Sequence, residues 1–322
     1  MREMDLRKAH LDAVAVLALL LCCALWGLGQ VAAKVALAEI PPLMQAAARS
    51  LGAALLVAWW ARWRAIALWE RDATLAGGLL AGALFAIEFG CIFVGLQFTN
   101  ASRMSVFLYL SPFVVALGMP LIARGERLGV WQAVGLIAAF AGVAWAFAEG
   151  FAKPSAGARQ WVGDALAVAA AVLWGATTLV IRGSRLTAAT PEKTLLYQLA
   201  LSGLALAAAS AFAGEGWPAR LTGLSLLPLA YQTVVVSAAS YVLWFWLMRH
   251  YPATLISAFV LLTPVFGLLA GVVLLGEPLT PRLVVALVAV AGGIALVSLV
   301  RPRLRSSAVL ERSRQGDASP NA

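Results

Sequence analysis

The sequence predicts an all-α integral membrane protein of ten transmembrane helices, arranged as two inverted five-helix repeats. Three observations predict it. Of the 322 residues, 62% are hydrophobic and 12% charged, about half the charged share of a soluble domain. The apolar residues fall into ten runs of about 20, the length a helix needs to cross the hydrocarbon core. The chain also writes one pattern twice. Ser111-Pro112-Phe113, an apolar run and Gly125-Glu126-Arg127-Leu128 correspond to Thr263-Pro264-Val265, an apolar run and Gly276-Glu277-Pro278-Leu279. The offset is 152 at the hydroxyl-Pro pair (263 minus 111) and 151 at Gly-Glu (277 minus 126). The same shift brings Trp26-Gly27 onto Trp174-Gly175, Lys34 onto Arg182, and Arg49 onto Gln198.

In order, the runs cover residues 12–33, 42–61, 74–97, 101–123 and 129–149, then 161–181, 192–213, 225–247, 253–275 and 281–300. This divides the chain into a cytosolic N-terminus (1–11), a first repeat (12–149), a periplasmic linker (150–160), a second repeat (161–300) and a basic, disordered cytosolic tail (301–322). The basic start and apolar run of Met1–Leu25 have the outline of a signal peptide. Cleavage near Ala33 would remove Trp26-Gly27 and leave the repeats unequal, so the first run is read as a span. In the third run, Gly78 and Gly82 form a GxxxG, as do Gly267 and Gly271 in the ninth, and helix packing is the plain reading of both. Pro112 and Pro264 fall inside the fourth and ninth runs, where each frees a carbonyl and bends its helix.

Orientation follows from the loops. With the N-terminus in the cytosol, the outer side holds only Lys34, Arg103, Lys153, Arg159, Arg220 and Arg282, while the other loops and the tail hold most of the Lys and Arg residues. Both termini are then cytosolic. Five helices is an odd number, so the second repeat enters the membrane upside down, the construction of alternating-access transporters. The net charge of +9 reflects basic residues at span ends beside lipid headgroups, not a nucleic-acid surface. Cys22, Cys23 and Cys91 lie inside apolar runs, which speaks for packing rather than a disulfide. His10 and His250 are too few for a metal site.

Charge inside a bilayer is expensive and wants a partner. Arg49 and Glu88 share a depth, about 10 and 13 Å below the outer boundary at 1.5 Å per residue. Two arrangements fit: a buried ion pair fixing the second helix to the third, or both groups facing a cavity, Arg49 holding a carboxylate and Glu88 an amine or a proton. Their counterparts in the second repeat are Gln198 and Ser240, and the joint loss of charge there favours pairing. Lys34 and Arg182, each eight residues after a Trp-Gly, read as snorkelling residues, with substrate contact as the alternative. Trp26, Trp174, Trp244 and Trp246 lie well inside runs rather than at an interface, with Gln30, Tyr109, Thr177, Thr178 and Tyr241 nearby. Such a set packs a bundle or walls a cavity for an aromatic, apolar or cationic ligand. Glu126 and Glu277 fall on opposite faces. Glu277 is expected to accept N–H groups at the start of the tenth helix, which Thr280 caps and Pro281 opens. No GxxxxGK[ST], HExxH, CxxC or Gly-x-Ser-x-Gly occurs, so nucleotide-driven pumping by this chain and common hydrolase chemistry have no support.

Two five-helix units, each with Trp-Gly in its first helix, Arg or Gln in its second, hydroxyl-Pro in its fourth and Gly-Glu-x-Leu before its fifth, resemble the EamA family of the drug/metabolite transporter superfamily. The resemblance covers about residues 12–300. It implies a central cavity between inverted units and transport of small metabolites, often amino acids and often outward, across a bacterial inner membrane. Trp26 and Trp174 match first-helix positions near the cavity, and Arg49 matches the basic residue of the second helix. Gly125-Glu126 and Gly276-Glu277 match the structural signature, to which Pro112 and Pro264 are added; Glu88 matches no family motif.

The expectation is therefore a secondary transporter, not an enzyme, exporting amino acids or related compounds. The substrate site is drawn from Trp26, Gln30, Arg49, Glu88, Tyr109, Trp174, Thr178, Gln198, Tyr241 and Trp244. Glu88 is the candidate proton-coupling group, and uncoupled facilitated efflux fits equally. No cofactor or metal is called for. The partners are the small-molecule substrate and membrane lipids, as a monomer or homodimer. The alternatives are a polytopic membrane enzyme or lipid-handling protein, and a transporter of a non-amino-acid metabolite or drug.

Overall fold

A computed structural model of the chain describes residues 12–122 except 69 and 71, residues 130–152, residues 154–241, residues 243, 244 and 247, and residues 262–299. Among these residues the fold is all helix: α1 (Ala13–Ala36), α2 (Pro42–Trp63), α3 (Leu75–Gly95), α4 (Ala101–Leu108), α5 (Ser111–Ile122), α6 (Val130–Ala152), α7 (Gln160–Gly183), α8 (Pro191–Phe212), α9 (Gly223–Ala230), α10 (Thr263–Leu275) and α11 (Pro281–Leu299). Among the described residues, five stretches are long and apolar enough to cross a membrane: α1, α3, α4 with α5, α7 and α8.

The helices start where short polar side chains or proline end the preceding loop. Asp12 accepts the Ala15 amide at 2.9 Å, Thr190 the Lys193 amide at 3.3 Å and Thr222 the Leu224 amide at 3.2 Å. Thr280 accepts the Leu283 amide at 3.2 Å, as its sequence position predicts. Proline opens α2 and α8, where a missing N–H leaves no bond unmade. The glycine pairs serve close approach. A Cβ on Gly78 would fall 2.6 Å from the Tyr197 ring, and one on Gly82 2.8 Å from the Tyr197 carbonyl, so α3 lies directly on α8.

Two expected helices are not continuous. The fourth run breaks at Tyr109-Leu110, between α4 and α5. Pro112 has no N–H to return to Leu108, so the bend expected at this proline is a full interruption. In the eighth run, α9 gives way after Pro228 to a π-helical stretch over Tyr231–Ala239. The segment before Thr263, with the start of the ninth run, and residues 123–129, with Gly125 and Glu126, lie outside the described residues.

One face of the bundle is bound together by charged side chains, where α1, α3, α6, α8 and α10 end and α2, α4, α7, α9 and α11 begin. Glu39 accepts from the Thr222 amide and hydroxyl at 2.8 and 2.7 Å and from Ser225 Oγ at 2.5 Å. These bonds hold its carboxyl below the usual range, Ser225 first. Glu215 accepts from the Leu43 and Met44 amides, 3.0 and 2.8 Å, at the start of α2. Arg103 is buried, not a loop cation as its sequence position suggests, because acceptors on α6 and α7 surround it. It donates to Asp164, to the Ala146 carbonyl at 2.6 Å and to Glu149 at 3.3 Å. Thr99 Oγ1 donates to Asp164 at 2.6 Å and Thr280 Oγ1 to Glu149 at 2.8 Å. Except for Arg103 with Ala146 and Glu149, these contacts join a residue before position 150 to one after 160.

Glu277 departs from expectation. Its carboxylate accepts from the amides of Ala101 and Ser102, at 2.7 and 2.8 Å, and so caps α4 rather than α11. Gly276 adopts a left-handed φ of +65° at the end of α10. That turn returns the chain toward α4, whose own Asn100 makes no side-chain cap. Lys34 also departs: instead of snorkelling, it donates to the Leu96 carbonyl at 2.8 Å and to the Thr99 carbonyl. These carbonyls end α3, the negative pole of its dipole. Arg182 is exposed.

Candidate functional site

A cavity of about 330 Å³ lies at the centre of the bundle. Its described lining comes from α1, α2, α3, α4, α7, α8, the π-helical stretch and the first residue of α10, so both halves of the chain build it. The α6 and α11 helices pack on each other and add no lining residue among those described.

The wall is largely aromatic. Trp26 meets Trp244 edge-on at 5.2 Å between ring centroids, and Tyr241 at 6.3 Å. Tyr109 and Trp174 make a T-shaped pair at 5.7 Å and 86°. The Trp26 indole N–H donates to Ser240 Oγ at 2.7 Å, and Ser240 Oγ donates to the Val236 carbonyl at 2.6 Å. The position that corresponds to Glu88 in the second half thus orients a cavity tryptophan. Phe85, Phe89 and Phe93 form a stripe at four-residue spacing along α3, with centroids 4.4 and 6.3 Å apart.

All ten residues singled out for a substrate site line this one cavity: Trp26, Gln30, Arg49, Glu88, Tyr109, Trp174, Thr178, Gln198, Tyr241 and Trp244. They converge because successive turns of α1, α3 and α7 present positions three and four apart on one face. Thr177, named beside them, also lines it; Trp246 lies outside the described residues. Phe85, Phe89, Phe93, Ser105, Gln232 and Thr263 add to the polar and aromatic lining. The signal for Phe89 was present in the sequence as the 85, 89, 93 stripe beside Glu88. No local signal marks Gln232, because a π-helical stretch shifts the residue faces of its span.

The ion pair between Arg49 and Glu88 does not form. Both side chains are 4% exposed, and Arg49 Nη1 and Glu88 Oε2 are buried with no hydrogen-bond partner. The Arg49 guanidinium instead sits over the Phe89 ring, 4.0 Å from its centroid. A basic and an acidic side chain therefore line one aromatic cavity with no ion pair between them. Such an arrangement can receive a ligand carrying both charges, since an unpaired buried charge interacts far more strongly than one in water.

The two halves match the same family model. Residues 13–148 match the EamA-like transporter family, and residues 161–299 match it again. The chain belongs to the EamA-like transporter family. This EamA-like chain is 32% identical over 243 residues to an uncharacterized protein of Pseudomonas aeruginosa, covering 74% of this chain and 79% of that one. It is 28% identical over 292 residues to the uncharacterized transporter YvbV of Bacillus subtilis, with 88% and 92% covered. An uncharacterized transporter of Archaeoglobus fulgidus is 25% identical over 252 residues, with 78% and 85% covered. A crystal structure with 22% sequence identity shares the fold at a TM-score of 0.63, over 91% of this chain and 99% of that one. The EamA-like family and the apolar helices together make this a multi-pass membrane transporter protein.

Proposed function

We propose that this EamA-like protein is a secondary transporter that exports amino acids or closely related zwitterions across a bacterial inner membrane. One observation carries the reading: Arg49 and Glu88 stand unpaired in a cavity walled by Trp26, Tyr109, Trp174, Tyr241 and Trp244. A carboxylate would take Arg49, an ammonium would take Glu88 or an aromatic face, and the rings would hold an apolar side chain. A volume of about 330 Å³ suits a molecule of that size. The ten spans form two inverted five-helix units with both termini cytosolic. Transport proceeds by rocking one unit against the other about the cavity, so that the charged face opens as the opposite face closes. Glu88 is the group that couples this cycle to a proton.

The test is flux of a mixed amino-acid pool in proteoliposomes, for wild type and Glu88→Gln, with and without a pH gradient. Selective flux that responds to the gradient in wild type and not in Glu88→Gln supports a proton-linked carrier. Gradient-insensitive flux in both removes the coupling role, and no amino-acid flux from folded protein removes the substrate class. Single cysteines at Ser155 and Ser313 test the topology: only the first reacts from outside, and the reverse pattern overturns it.

A further inference from the structure

We infer that Phe89 is the positioning residue of the cavity: its ring face holds the Arg49 guanidinium without neutralising it, and so fits the site to a carboxylate. This rests on reading the cavity as a ligand site, and does not depend on which way a ligand travels.

Arg49 is 4% exposed, lies on α2, and makes no hydrogen bond or ion pair among the described residues. A cation so placed needs some compensation, and in membrane spans it usually comes from a carboxylate. Here an aromatic ring, that of Phe89, lies 4.0 Å from the guanidinium carbon instead. The difference matters for chemistry. A carboxylate would consume the guanidinium's in-plane N–H donors, whereas a ring attracts the cation electrostatically and takes none of them. The donors therefore stay available for a bidentate bond to a ligand carboxylate. Phe89 is itself held by Phe85 and Phe93, so the ring is fixed before any ligand arrives. Glu88, the preceding residue on α3, projects about 100° away around the helix. One turn of α3 thus presents the ring that holds the cation and, beside it, the opposite charge.

The test reads Arg49 directly. Purified protein in detergent is treated with phenylglyoxal, which modifies guanidinium groups, and labelling of the Arg49 peptide is followed by mass spectrometry. Phenylacetate is the probe and phenylacetamide its neutral counterpart. Phenylacetate should slow labelling of Arg49 and phenylacetamide should not. Phe89→Leu should raise the half-protecting phenylacetate concentration about tenfold, the size of a desolvated cation–π contact, while Phe89→Tyr stays close to wild type. To separate the ring's electrostatics from its shape, position 89 is also filled with phenylalanines of increasing fluorination, which keep the size and weaken the negative face. Protection should fall stepwise along that series. A flat series, equal protection by the acid and the amide, or Phe89→Leu behaving as wild type would each overturn the inference. Protection of Arg49 without amino-acid flux in proteoliposomes would remove the proposed substrate and leave the role of Phe89 standing.

Discussion

Arg103 and Asp164 face each other across the two halves of the chain, with Nη2 donating to Oδ2 at 2.6 Å and Nε to Oδ1 at 3.0 Å. Their side chains are 2% and 0% exposed. Removing Arg103 strands the buried Asp164 charge, and removing Asp164 leaves Arg103 with only the longer contact to Glu149 at 3.3 Å. Asp164→Asn or Arg103→Gln should therefore lower stability by about 3–5 kcal/mol, and Arg103→Met with Asp164→Leu should recover most of it. Thermal unfolding in detergent measures both, and a wild-type melting temperature for Asp164→Asn would remove the pair from the stability of the charged face.

Glu277 caps α4 from the far end of the sequence, so its loss should be felt at residues 101 and 102 rather than beside it. In Glu277→Ala, hydrogen exchange of the Ala101 and Ser102 amides should rise at least about tenfold, with a stability loss of about 1–2 kcal/mol, the range of a lost N-cap. Unchanged exchange at those amides would contradict the cap.

Because Arg49 and Glu88 do not pair, exchanging them should rescue nothing. The double variant should recover no more than about 0.5 kcal/mol over the sum of Arg49→Glu and Glu88→Arg in stability, since there is no ion pair for the exchange to restore. Recovery of stability or flux in the double variant would mean that the two charges do meet.

On the opposite face, Lys193 Nζ donates to Asp72 Oδ2 at 2.8 Å. Lys193, and after it Thr74, hold the Asp72 carboxyl down at about 2. An acid lowered by folding adds stability above its ordinary pKa of about 4, and that stability fades as the pH falls toward the folded value. Wild type should therefore exceed Asp72→Asn in melting temperature above about pH 4, with the two curves converging near pH 2. A gap that does not narrow with acid would show that the carboxylate charge contributes nothing.

Much of the cavity lining is legible in the sequence. Trp26, Arg49, Glu88 and Trp174 stand out because a polar or aromatic group deep in an apolar run is expensive or unusual unless it faces inward. Phe89 was legible only in part, since a phenylalanine among apolar residues carries no mark of its own until Arg49 is seen above it. Arg103 was misplaced because its position near a run's boundary matches a loop cation, and nothing local names Asp164 as its partner 61 residues away.

The sequence by itself determined the helical class, the membrane setting, the duplication and most helix starts. Those follow from composition, run length and short-range capping, which act within a few residues. Tertiary structure alone decided which charges meet. It turned Glu277 onto α4, Lys34 onto the end of α3 and Arg49 onto Phe89. Each of these outcomes depends on which helix ends and side chains are brought within about 4 Å of one another, and electrostatic and hydrogen-bond energies fall too steeply with distance for spacing along the chain to foretell them.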